Sequence, residues 1–132
     1  MTFAISPYSK RKVLIVDDDR YTRLALEDFL QQEGFYTFGI PDGFKATEIV
    51  LHELIDLVLL DMNLPGRSGV EILREIRYVR SQLPVIMITG TRTPDLLHEI
   101  SELDAFSLVP KPVNILLLRQ IVHDALFRFP DF

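Results

Sequence analysis

The chain has 132 residues, 48% of them hydrophobic and 25% charged, which fits one globular domain with a single core. Its net charge of −5 (14 basic, 19 acidic residues) disfavours a general nucleic-acid-binding surface, and the lack of cysteine excludes disulfides and thiolate metal sites. No apolar run approaches the ~18 residues of a bilayer span, and residues 1–12 lack the apolar stretch of a signal peptide, so a cytoplasmic protein with no membrane partner is expected.

Lys12 to Val16 predicts the first strand, since Val13, Leu14, Ile15 and Val16 are all apolar and rich in β-branching. Three acids end it: Asp17, Asp18 and Asp19. Leu26, Phe29 and Leu30 then recur at helical spacing, and Gly34 follows as the residue that ends the helix. Residues 35–40 form a more mixed strand containing Thr37 and Gly39. After the Pro41-Asp42-Gly43 turn, Ala46, Ile49, Val50 and Leu54 mark a second helix. Residues 57–60 are apolar without a break, as in a strand buried on both faces, and Asp61 stands at its end, shortly before the turn signal Pro65-Gly66.

Ser68 and Glu71 make a capping-box pattern that opens a third helix, with Ile72, Leu73, Ile76 and Val79 as its apolar stripe. Pro84 leads into another fully apolar strand, residues 85–88, which ends at Thr89-Gly90. Thr93-Pro94 is an N-cap followed by proline at the first helical position, and Leu96, Leu97, Ile100 and Leu103 carry the fourth helix. Residues 106–109 give a short fifth strand, ending in Pro110-Lys111-Pro112. From about Asn114 the last helix turns Ile115, Leu118, Ile121, Val122 and Leu126 inward, and the aromatics Phe127, Phe129 and Phe132 close the chain as local packing.

Five strands alternating with five helices imply an α/β fold: a doubly wound parallel sheet with right-handed crossovers and helices on both faces. The first, third and fourth strands are unbroken apolar runs and belong in the middle; the second and fifth contain Thr37, Gly39 and Ser107 and suit the edges. The order 2-1-3-4-5 satisfies this, and ligands in such sheets bind at the carboxyl ends of the strands, near the switch point. Those ends carry Asp17, Asp18, Asp61, Thr89 and Lys111. Carboxylates gathered together repel unless a cation joins them. With no His or Cys nearby the ligand set is all oxygen, which suits a hard cation, above all Mg²⁺ if phosphate is involved. Lys111 and Thr89 would hold the oxygens of a phosphoryl group.

Each residue also has a plainer reading. Asp17 and Asp18 alone are an acid cluster at a helix N-terminus, Asp61 alone is a strand-ending turn residue, and Lys111 alone is a surface lysine. Asp19 reads as the cap of the first helix. His52, His98 and His123 fall in helical segments and read as solvated or satisfied side chains.

Four stretches in order, Ile15-Val16-Asp17-Asp18-Asp19, the run from Leu59 through Asp61 to Gly69, Pro84 to Gly90, and Val109-Pro110-Lys111-Pro112, make the chain resemble the receiver domain of bacterial two-component response regulators. The resemblance covers roughly residues 12–126 and is specific through the combination of motifs rather than any single one. It divides the chain into an N-terminal extension (1–11), a receiver domain (12–127) and a C-terminal tail (128–132). It implies that Asp61 accepts a phosphoryl group from a phosphohistidine on a sensor histidine kinase or histidine phosphotransfer protein. Asp18, Asp61 and the backbone carbonyl of Asn63 would bind Mg²⁺, with Asp17 acting through a metal-bound water. Thr89 would hydrogen-bond the phosphoryl group and Lys111 would pair with it. The domain would catalyse only its own phosphorylation and dephosphorylation. The surface of helix 4, strand 5 and helix 5 would then switch its affinity for a downstream protein or a second copy, with no direct contact to nucleic acid.

The chain departs from the family at two places. Leu108 occupies the switch position three residues before Lys111, where the family has an aromatic; Phe106 lies two residues earlier and, by strand period, on the same side. Asp104 stands where the turn before strand 5 usually has glycine. A cis bond is implied at Lys111-Pro112. The competing reading is a phosphorylation-independent receiver acting as an interaction module, favoured by Leu108 and opposed by the complete acidic set. A phosphatase with an aspartyl-phosphate intermediate would need an acid at Asn63, and a nucleotide binder would need a glycine-rich loop where the three aspartates stand.

Overall fold

The computed structural model describes residues 10–127; residues 1–9 and the tail from 128 onward, with Phe129 and Phe132, lie outside the described residues. Ten elements alternate: β1 (Lys12–Val16), α1 (Arg20–Gln32), β2 (Tyr36–Ile40), α2 (Ala46–His52), β3 (Leu57–Asp61), α3 (Gly69–Val79), β4 (Val85–Thr89), α4 (Pro94–Glu102), β5 (Ser107–Pro110) and α5 (Ile115–Leu126). The strands form one parallel sheet in the order β2-β1-β3-β4-β5. Composition anticipates the order: β3 and β4 are buried along their whole length, whereas every residue of β2 is at least partly exposed.

Strand alternation divides the core into two clusters. Leu14, Val16, Val58, Leu60, Val85 and Met87 face Val50 of α2, Ile72, Leu73 and Ile76 of α3, and Ile100 of α4. Val13, Ile15, Leu57, Leu59, Ile86, Ile88 and Val109 face Leu26 and Leu30 of α1 and Leu118 and Val122 of α5. Side-chain caps start most helices: Asp19 on α1, Ser68 on α3, Thr93 on α4 and Asn114 on α5.

Four apolar residues do not sit where periodicity places them. Leu54 is outside α2, at φ 52° and 73% exposed; the helix stops after His52 and the adjacent Ile55 is buried in its stead. Ile115 and Leu97 are exposed, because α5 reaches the sheet through Leu118 and Val122 and the one buried residue of α4 is Ile100. Phe106 is not on the same side as Leu108: it precedes β5, so strict alternation does not reach it, and it packs with the α1–α5 cluster while Leu108 packs with the opposite one. The left-handed turn before β5 is present, with Asp104 at φ 55°, and the Lys111–Pro112 bond is cis.

Candidate functional site

The register carries four strand ends to one place. Val16 pairs with Leu60, Asp61 with Ile88, and Thr89 with Pro110, so Asp17, Asp61, Thr89 and Lys111 emerge at the same edge of the sheet. Asp17 and Asp61 are each 1% exposed, and Thr89 is fully buried. Asp18, one residue further into the turn, is exposed. One carboxylate oxygen from each of Asp17, Asp18 and Asp61 lies within 4.8 Å of the others.

The backbone around these carboxylates is tied down on all sides. The Asp17 N–H donates to the Ile40 carbonyl (3.1 Å), extending the β1–β2 pairing by one step. The Asp19 N–H donates to Asp17 Oδ1 (2.9 Å), while the Asp19 carboxylate caps α1 through Thr22 N (3.2 Å). Those bonds from Thr22 hold the Asp19 carboxyl below its ordinary pKa. Arg23, one turn into α1, donates from Nη1 to the carbonyl of Asp17 at 2.7 Å. Beside Asp61, the Asn63 N–H donates to Oδ1 (3.2 Å). Gly69 opens α3 against the end of β3: a Cβ there would lie 2.4 Å from the Asp61 carbonyl oxygen, so glycine alone permits the approach.

Lys111 Nζ lies 3.0 Å from Asp61 Oδ2 and 3.8 Å from Asp17 Oδ2. Burial by itself would lower the lysine's pKa, but its hydrogen bond to Asp61 and the charges of Asp17, Asp61 and Asp18 outweigh it and hold the pKa above its usual value. For Asp17 burial dominates and raises the pKa; the charges of Asp61 and Asp18 add to it, while the Asp19 N–H and Lys111 oppose it. Asp17 Oδ2 is buried with no hydrogen-bond partner. Two carboxylates at this spacing repel by at least about 3.5 kcal/mol at an effective dielectric constant of about 20. Three carboxylates and one lysine leave two negative charges, which a divalent cation would balance. The all-oxygen donor set and the buried Asp17 oxygen that accepts no hydrogen bond therefore fit a hard divalent ion.

The remaining expected site residues are close by but differently engaged. The Thr89 hydroxyl donates to the Thr91 carbonyl and accepts from the Thr91 N–H, both at 2.9 Å. Asn63 is exposed and, with Asp18, lines a shallow groove of about 470 Å³. Leu108, paired with Met87, is half-buried against the α2–α4 side of the core. None of the histidines joins the acidic cluster: His52 lies against the Glu48 carbonyl, His98 against Glu102 and His123 against Phe127. Sequence reasoning missed Arg23 as part of the site and gave Gly69 no structural role. Arg23 stands three residues before Leu26 and seven before Leu30, on the buried face of α1, and is itself part-buried; a charged residue on that face is the sequence signal that could have found it. Gly69 was legible only as a glycine at a helix start.

The model of the response regulator receiver domain matches residues 13–123. The chain belongs to this family. As a receiver domain it is 39% identical over 111 residues to sporulation initiation phosphotransferase F of Bacillus subtilis (strain 168), a match covering 84% of this chain and 90% of that protein. It is also 39% identical over 104 residues to transcriptional regulatory protein CpxR of Escherichia coli (strain K12), covering 78% of this chain but only 44% of that protein. Its fold superposes on Vibrio cholerae chemotaxis protein CheY4 with a TM-score of 0.84 at 26% identity, covering 89% of this chain and all of the other. Among the described residues, no helix is long and apolar enough to cross a membrane.

Proposed function

We propose that this receiver domain is a phosphorylatable switch whose acceptor is Asp61. The observation that carries the reading is the convergence of Asp17, Asp18 and Asp61 around a lysine that already touches the Asp61 carboxylate. A carboxylate oxygen of Asp61 attacks the phosphorus of a phosphohistidine on a sensor histidine kinase or histidine phosphotransfer protein. The new O–P bond forms as the P–N bond breaks, and the imidazole leaves with the electron pair and takes up a proton. Lys111 stabilises charge on the phosphoryl oxygens, and Thr89, freed from Thr91, donates a hydrogen bond to them. Asp18, Asp61 and the Asn63 carbonyl would hold Mg²⁺, with Asp17 acting beside them rather than as a direct ligand. The ion supplies charge neutralisation for the acidic pocket and the incoming phosphoryl group.

The name of the Bacillus relative supports phosphotransfer, and that of the Escherichia relative supports transcriptional output in a longer protein. For this chain the output is a cytoplasmic protein contact, with a target or a second copy, through α4, β5 and α5. The test is incubation with Mg²⁺ and acetyl phosphate, read by intact mass. One added phosphoryl group, absent in Asp61→Asn and in EDTA, is the expected result. A folded wild-type protein that gains no mass, even with excess donor, would overturn the reading in favour of a phosphate-independent interaction module. Leu108 is the residue that makes this alternative concrete.

A further inference from the structure

We propose that Arg23 is a positioning residue for the metal-binding turn, fixing the Asp17–Asp18 peptide so that Asp18 is aimed at the cation. The inference rests on the reading of Asp18 and Asp61 as direct ligands. Arg23 Nη1 donates to the Asp17 carbonyl at 2.7 Å, and that carbonyl belongs to the peptide unit that leads into Asp18. Three other bonds hold the same turn. The Asp17 N–H is bound to Ile40 O, the Asp19 N–H to Asp17 Oδ1, and the Arg23 N–H to Asp19 O (2.9 Å). Among these, Arg23 Nη1 is the side-chain donor that orients the plane between Asp17 and Asp18. Asp18 itself is exposed, and no hydrogen bond from the described residues holds its carboxylate toward Asp61. Its direction is therefore set by the backbone on which it stands, and a group that orients a ligand from behind tunes metal affinity without touching the metal.

Charge and positioning make opposite predictions here. Arg23 brings a positive charge to a pocket of three carboxylates. By Coulomb's law alone, its removal would leave the pocket more negative and tighten cation binding. If its role is to hold the peptide plane, removal loosens binding instead.

The experiment is Mg²⁺ titration of the full chain by calorimetry and by amide NMR shifts of Asp17, Asp18 and Asp61, in wild type, Arg23→Ala and Arg23→Lys, with thermal melts alongside. Maximal acetyl-phosphate labelling at saturating Mg²⁺ is measured separately. We expect Arg23→Ala to raise the Mg²⁺ Kd about tenfold, with the maximal labelling rate within about twofold of wild type. Arg23→Lys keeps the charge but loses the planar fork, and should also weaken binding, by a smaller factor. Unchanged or tighter binding in Arg23→Ala overturns the proposal. If Arg23→Ala does not fold, Arg23→Lys decides: wild-type affinity there shows that the planar fork is not needed to orient the turn and overturns it. A wild-type chain that binds no Mg²⁺ is a different failure, removing the metal-site reading itself and the Arg23 role with it.

Discussion

The carboxylate of Asp17 is buried among Asp18, Asp61 and Lys111, with one oxygen lacking a hydrogen-bond partner. Burial first, and the neighbouring acids second, raise its pKa above the 3.8 of the free side chain. Between that value and the raised one the folded chain binds more protons than the unfolded chain. Stability from this residue therefore falls as pH rises through the window and stays lowered at neutral pH. Asp17→Asn should accordingly stabilise the metal-free protein at pH 7 by about 1–3 kcal/mol, with the gain narrowing as pH falls toward 3.8. Denaturant unfolding in EDTA at a series of pH values measures this; a less stable variant at pH 7 would show that the buried charge is not a net cost. Asp61 differs in that Lys111 and the Asn63 N–H both meet its carboxylate. Asp17, Asp18, Asp61 and Lys111 were legible as a group from strand ends alone. The engagement of Thr89 with Thr91 was not, since it depends on a turn of backbone that no residue type announces.

Elements follow the apolar pattern where they lie flat on the sheet and leave it where the chain turns. Val50 and Leu54 are four apart and fit a helical period, yet α2 ends at His52 and Leu54 swings into the left-handed region at φ 52°. A leucine there carries backbone strain, and at 73% exposure it has little packing to lose. Leu54→Gly should therefore stabilise the domain by about 1 kcal/mol, seen as a higher denaturation midpoint with unchanged slope. A lower midpoint would mean that the leucine's contacts outweigh the strain. Ile115 and Leu97 stray for a related reason: α5 and α4 touch the sheet along narrow seams, through Leu118 with Val122 and through Ile100. The Phe106 position fails because period two holds only inside a strand, and β5 begins at Ser107.

At the scale of the whole molecule, one side chain ties together the end opposite the acidic cluster. The Arg77 guanidinium donates to the carbonyls of Leu103 (2.7 Å), Leu83 (2.6 Å), Asp104 (2.9 Å) and Arg80 (3.4 Å). It joins the chain after α3 to the turn between α4 and β5, and burial lowers its pKa from the usual arginine value while the Asp104 charge opposes that. Arg77→Ala should destabilise the fold by about 2–4 kcal/mol, while labelling of Asp61 by acetyl phosphate stays within about twofold. A large change in labelling at intact stability would show that this end is coupled to the site. By itself, the sequence determined the alternating architecture, the strand order and the acidic strand ends. Those follow from local apolar runs and from the positions where the runs stop. Only the tertiary structure decided the contacts of Arg23 with Asp17, Arg77 with four carbonyls and Gly69 with Asp61, together with the faces taken by Phe106 and Leu108. Such contacts depend on backbone groups brought together from separate turns, and a backbone carbonyl has the same chemistry at every position.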